Sequence, residues 1–292
     1  MEFPRYNQGM LDQATHSQRS QERDRLSILL AVLLTGATLF RFVELPSFTW
    51  SVRQILGSPL GFTLDGNWLL PFMLMGLAAT GTYALVQSHP AHSEETSTQE
   101  RPLLFSLITP SLGALFTSLL LIRATSWPVW LGSLALTGFV VGLLIHLSYR
   151  ALFLEHPGYA SARTALNIIN YLLGFVLFGM IMGARERALV TGPVILLLSA
   201  LLTLDLLSTS GAETPLVLLF AGIIALVESQ MAWVLSYWPI SHWGAATVLT
   251  LGLYVGAGLG YQHLLHRLSR RMLLEFGALA LAVFTLVLIV RP

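Results

Sequence analysis

The sequence predicts an all-α polytopic transmembrane helix bundle of about nine spans. Three observations predict it. The first is composition: of 292 residues, 54% are hydrophobic and only 11% charged, where a soluble domain carries roughly 25% charged residues. So thin a shell of charge does not solvate a globule of this size, and lipid becomes the solvent for most of the surface. The second is the recurrence of apolar runs near the ~20 residues that a helix needs to cross hydrocarbon, with polar connectors between them. The third is the lack, within those runs, of the strict polar–apolar alternation of a closed barrel. Backbone groups in lipid must be bonded internally, which leaves helices.

The first 25 residues are polar, with Arg5, Arg19, Arg23 and Arg25 among Asp12, Glu22 and Asp24. That stretch is too long and too mixed for the n-region of a cleaved signal, and no small-residue cleavage site follows. It reads as a retained cytosolic tail (1–25) ahead of a transmembrane domain (26–292), with Leu26–Val43 as a signal anchor. Arg41 and Glu44 are three apart at the end of this run and are placed to pair. Ser47 to Asp65 interleaves Phe48, Trp50, Val52, Ile55 and Leu56 with polar residues before the Gly57-Ser58-Pro59 break, which suits an amphipathic helix lying in the interface. Trp68–Val86 is the second span. His89 to Arg101 is uniformly hydrophilic, giving a mobile polar loop over 88–102. The remaining spans are Leu103–Ile122, Pro128–Leu147, Leu166–Gly183, Val190–Leu207, Pro215–Leu235, Gly244–Tyr261 and Met272–Val290.

All sixteen basic residues are Arg. With the N-terminus inside, ten of them fall on the inner side and six on the outer, which favours that orientation under the positive-inside rule. Arg185 and Arg187 oppose it and call for partners. A net charge of +1 offers no basic patch for nucleic acid. The absence of Cys excludes disulfides and thiolate metal sites.

Helices in lipid associate through close backbone approach over small residues. Gly252, Gly256 and Gly260 line one face of their run, as do Gly138 with Gly142 and Gly179 with Gly183. The triple glycine marks a tight helix crossing, with its partner expected in the same chain.

Two acids need a reason. A carboxylate in hydrocarbon is expensive and marks a functional or partner-facing position. Glu228 sits in the second half of its run and is expected in the outer half of the bilayer, within reach of Arg185 or Arg187, so a buried salt bridge is the favoured reading. Asp205 is within about a turn of its helix end, near the inner face. That difference in depth argues against a shared cation site, although both remain candidate coupling acids. Asn167 and Asn170 are expected to make interhelical hydrogen bonds or to cap their helix. His146, His263 and His266 read as interfacial rather than as haem ligands, and no cofactor is expected. No nucleophile elbow, His-Glu-x-x-His or phosphate-cradling loop is present. Glu94-Glu95 lies in a polar loop, away from any intramembrane chemistry. No inverted repeat aligns between the halves.

Several features in order carry a resemblance: Leu56-Gly57-Ser58-Pro59-Leu60-Gly61, Ser88-His89-Pro90, Arg185-Glu186-Arg187 with Gly192-Pro193, and Glu228 followed by Trp233 and Tyr237-Trp238-Pro239. Together they resemble an uncharacterised bacterial family of integral membrane proteins catalogued as a domain of unknown function. The resemblance covers most of the chain after the N-terminal tail. It implies a polytopic membrane fold and no known activity, cofactor or catalytic residue.

Two functional readings follow. One is a non-catalytic membrane subunit or scaffold in the bacterial inner membrane, partnered by lipids, other subunits or a second copy of itself. The other is a small-solute or ion permease that uses Glu228 and Asp205.

Overall fold

A computed structural model describes the backbone of residues 6–43, 48–55, 58–64, 66–87, 103–152 and 158–289, and the side chains of 24–43, 69–87, 104–152, 158–285, 287 and 289. The polar loop assigned to 88–102 lies outside the described residues. Helices α1 (Tyr6–Phe42), α2 (Gly66–Gln87), α3 (Leu103–Ser106), α4 (Ile108–Arg123), α5 (Trp127–Arg150), α6 (Tyr159–Gly183), α7 (Ala188–Leu207), α8 (Thr214–Tyr237), α9 (His242–Leu264) and α10 (Arg270–Ile289) account for nearly all of it. Between α1 and α2 run two short strands, β1 (Phe48–Ile55) and β2 (Ser58–Leu64).

Among the described residues, eight helices are long and apolar enough to cross a membrane, in keeping with the bundle of about nine spans expected. The ninth run, Met272–Val290, lies on α10, and the side chains of 286, 288 and 290 in it lie outside the described residues. Arg270, Arg271 and Glu275 occupy the first two turns of α10, with Arg271 Nε donating to Glu275 Oε1 at 2.9 Å in an exposed pair.

The chain forms two compact units. The first comprises Met1–Glu95 and Gly113–Tyr149, the second Thr96–Leu112 and Arg150–Pro292. In the first unit, α1, α2, the later part of α4, and α5 share a core of Leu33, Leu74, Leu121, Trp130, Val141 and Ile145. Small residues set the helix spacing there. A Cβ on Gly138 would meet Leu34 Cδ1 at 3.2 Å, and one on Gly142 would meet Leu30 Cδ1 at 3.0 Å, so α1 approaches α5 over the predicted glycine pair. Glu44 lies outside the described residues. Arg41 lays its guanidinium over the Trp127 ring, 5.9 Å from the centroid.

Residues 48–64 form an antiparallel hairpin, not the interfacial helix expected over Ser47–Asp65. Phe48 pairs with Leu64, Thr49 with Thr63, Trp50 with Phe62 and Val52 with Leu60, with an irregularity before the Ile55–Ser58 pair. The physical reason is legible in the sequence. Phe-Thr-Trp-Ser-Val-Arg alternates apolar and polar residues at period two, and its aromatic and β-branched side chains favour strand.

In the second unit, α7 and α8 form the most extensively packed helix pair and α6 lies along α9. Rings mark the α6–α9 seam: Tyr171 meets Tyr254 edge-on at 5.6 Å and Phe175 meets Trp243 at 5.5 Å. Gly179 makes room for the Trp243 ring, and a Cβ on Gly183 would meet His242 at 3.4 Å.

The hairpin register is open to direct test, because the chain has no native Cys. Paired Thr49→Cys and Thr63→Cys substitutions should cross-link within one chain on mild oxidation, since facing Cα atoms lie within disulfide range. Failure to cross-link while Ser51→Cys with Thr63→Cys links readily would refute the register.

Candidate functional site

Two buried polar places lie in the second unit. The first is built on Asp205, near the C-terminal end of α7 and 2% exposed. Arg163, in the first turns of α6 and 6% exposed, places Nη1 3.4 Å from each carboxylate oxygen and donates from Nη2 to the Asp205 backbone carbonyl. Asn170 Nδ2 donates to Asp205 Oδ2. Thr109, in the first turn of α4, has a single proton to give. It is within reach of Asp205 Oδ2 at 3.1 Å and of Asn170 Oδ1 at 3.0 Å. Ser208 Oγ donates to the Asp205 carbonyl at 2.7 Å. Three helix segments thus converge on one carboxylate, and its charge is balanced by the guanidinium beside it. Arg163 Nε and Asn167 Oδ1 remain without partners. Asn170 makes the interhelical bond expected of it.

The second place is Glu228 on α8, 1% exposed. Among the described residues it forms no ion pair, and Oε2 has no hydrogen-bond partner. The salt bridge expected with Arg185 or Arg187 does not form. Arg185 closes the α6 end with a positive φ of 52°, Arg187 takes the N-cap position of α7, and both side chains are exposed, whereas Glu228 points into the packed interior. What Glu228 meets is glycine. A Cβ on Gly252 of α9 would overlap Glu228 Oε1 and lie 3.2 Å from Met231 Cε. One turn on, a Cβ on Gly256 would meet Ile224 Cγ2 at 3.0 Å, and one on Gly260 would meet Ile224 Cδ1 at 3.4 Å. The glycine face thus finds its partner in the same chain, α8, and its first member makes the space that Glu228 occupies.

The two acids stand apart. Ser229 Oγ donates to the Gly192 carbonyl at 2.9 Å, which sets Glu228 opposite residue 193 of the antiparallel α7. From there to Asp205 is about 18 Å of helix axis. The separation in depth expected from the sequence is therefore present, and no single cation is reached by both groups.

Sequence reasoning missed Arg163 and Thr109. Arg163 lies ahead of the apolar run that starts at Leu166, while α6 begins at Tyr159. The signal was available: Arg163, Asn167 and Asn170 are spaced i, i+4, i+7, a polar stripe on one helix face. Thr109 carried no such signal, since hydroxyl residues are common in these runs and most here bond back to their own helix.

The sequence model of a family described as a protein of unknown function (DUF5656) matches residues 46–290. The chain belongs to this family. Because the match starts at residue 46, the DUF5656 region runs from the hairpin through α10, and α1 lies outside it, in keeping with a resemblance over most of the chain after the N-terminal tail. Both buried acids, Arg163 and the glycine face fall inside the DUF5656 region. No curated protein and no solved structure matches the chain.

Two outcomes test the site. Asp205→Ala leaves a buried guanidinium unpaired and should cost about 3–5 kcal/mol, read as a lower melting temperature in detergent and a reduced amount in the membrane. Wild-type stability of that variant would contradict the pairing. Gly252→Ala should destabilise by about 1–3 kcal/mol through overpacking against Glu228. Glu228→Ala in the same chain should recover most of that loss, whereas Glu228→Gln, which keeps the volume, should not. Equal rescue by Ala and Gln would show that size is not the issue.

Proposed function

We propose that this chain is a non-catalytic multi-pass subunit or scaffold of the bacterial inner membrane, with its N-terminus on the cytoplasmic side. The observation that carries the reading is what the spanning helices turn outward. Leu104, Phe139, Leu172, Leu219 and Val234 are each 58–68% exposed, and every other span among the eight carries similar side chains. In water each such group would forfeit roughly 1.5–3 kcal/mol of burial. Lipid acyl chains or the helices of a partner remove that cost. The side chains with chemical capacity near Asp205 are meanwhile occupied in holding helices together.

A second reading, a small-solute or ion permease, is favoured by one feature, Glu228. It is an acid inside a span with no partner, and such a residue is by default a functional position. Asp205 does not support that reading, because it is bonded to Arg163 at another depth.

The membrane reading is tested by alkaline carbonate washing of cell membranes: the chain should stay with the pellet and be released only by detergent, and release by carbonate would overturn it. The subunit reading is tested on the detergent-purified chain. A stoichiometric partner or a defined homo-oligomer supports it. A lone monomer, combined with a Glu228→Gln variant of normal abundance that fails to complement a deletion strain, would replace it with the permease reading.

A further inference from the structure

The first unit carries a groove that none of the foregoing uses. It runs along the seam between the start of the α1 span and the C-terminal half of α2, and encloses about 360 Å³. Its α1 wall is Leu26, Ile28, Leu29 and Val32, its α2 wall Leu77, Ala84 and Leu85 with Gly81 and Thr80, and Arg25 stands at one end. The floor is closed where Leu29 seats against Gly81, so closely that a Cβ there would overlap its Cδ1. The Thr80 hydroxyl is bonded back to the Gly76 carbonyl at 2.8 Å, which leaves the walls without polar demand. Arg25 is exposed and takes part in no ion pair among the described residues.

The placement of these groups is polarised. Arg25 sits where α1 passes from polar to apolar sequence, and Asp24–Phe42 is the candidate span. Arg25 is therefore at the level of the headgroups, and the groove continues from it to Val32, about 10 Å into hydrocarbon. A volume near the lower limit of small-molecule sites and a mostly apolar wall suit one acyl chain, whereas a partner helix of ~10 Å diameter would lie over the groove rather than fill it. The guanidinium at the mouth is complementary to a phosphate and offers it a bidentate face.

We propose that the α1–α2 groove binds one acyl chain of an anionic phospholipid, with Arg25 holding its headgroup phosphate. The proposal rests on the membrane reading above, which carbonate extraction tests separately. A groove open to lipid always touches some acyl chain. The specific content here is preference for a net anionic headgroup, conferred by one residue. A basic residue near the membrane surface is worth about 1 kcal/mol toward anionic lipid, which corresponds to roughly fivefold in occupancy.

The test is lipid titration of the full-length, detergent-purified protein followed by native mass spectrometry, with phosphatidylglycerol and phosphatidylcholine of the same acyl chains. The wild-type chain should retain one phosphatidylglycerol about fivefold more strongly than phosphatidylcholine. Arg25→Gln should bring the two lipids to parity, weakening phosphatidylglycerol more than phosphatidylcholine. Ala84 is exposed and outside the core, so Ala84→Trp should fill the groove and weaken both lipids without lowering the melting temperature. Excess inorganic phosphate should leave lipid occupancy as it was. Equal retention of both lipids by the wild type, a preference that survives Arg25→Gln, unaltered binding to Ala84→Trp, or displacement by phosphate alone would each overturn the assignment.

Discussion

In hydrocarbon a polar group has no water to fall back on, so its partner must come from the protein itself. The second unit depends on that constraint at Asp205. The carboxylate takes hydrogen bonds from Arg163 and Asn170 on α6, lies within reach of Thr109 on α4, and shares the Arg163 guanidinium with its own backbone carbonyl. Hydrophobic burial does little to bring helices together when the solvent is itself apolar. A buried ion pair dressed with hydrogen bonds supplies direction and register instead. Neutralising one side would leave the other uncompensated, so the four residues stand or fall together.

Glycine does the complementary work. Where polar bonds fix register, small residues let helices approach closely enough for dispersion to hold them. In the first unit, Gly138 and Gly142 receive Leu34 and Leu30 of α1. In the second, Gly252, Gly256 and Gly260 receive Glu228 and Ile224 of α8. The same stripe thus serves two ends: it packs an aliphatic side chain at two positions and houses an acid at the third. Glu228 is shaped in by α9, with Oε2 unpartnered among the described residues, the opposite of Asp205. Two acids one helix apart in sequence have been given opposite environments.

Much of this was legible in the sequence, for reasons tied to period and cost. Apolar runs of spanning length placed the helices, because in lipid no other backbone arrangement serves. The i, i+4, i+8 glycines announced a crossing, and the unequal distances of Asp205 and Glu228 from their helix ends announced their separation in depth. The hairpin was hidden by reading the apolar residues of 48–56 as one face of a helix when their alternation had period two. The partner of Asp205 was hidden by a helix boundary: Arg163 lies ahead of the apolar run but inside α6, which starts at Tyr159. Arg185 and Arg187 were matched to Glu228 by depth alone. Depth does not fix azimuth, and the turn after α6, with Arg185 at positive φ, leaves both side chains exposed.

The central claim is that Asp205 belongs to Arg163 while Glu228 belongs to no cation. Double-mutant cycles on the unfolding of the purified protein measure this directly, crossing each acid with Arg163, Arg185 and Arg187. The account predicts a coupling of about 2 kcal/mol or more for Asp205 with Arg163, and couplings within about 0.5 kcal/mol for Glu228 with each of the three arginines. A coupling above about 1 kcal/mol between Glu228 and Arg185 or Arg187, or additivity between Asp205 and Arg163, would contradict it.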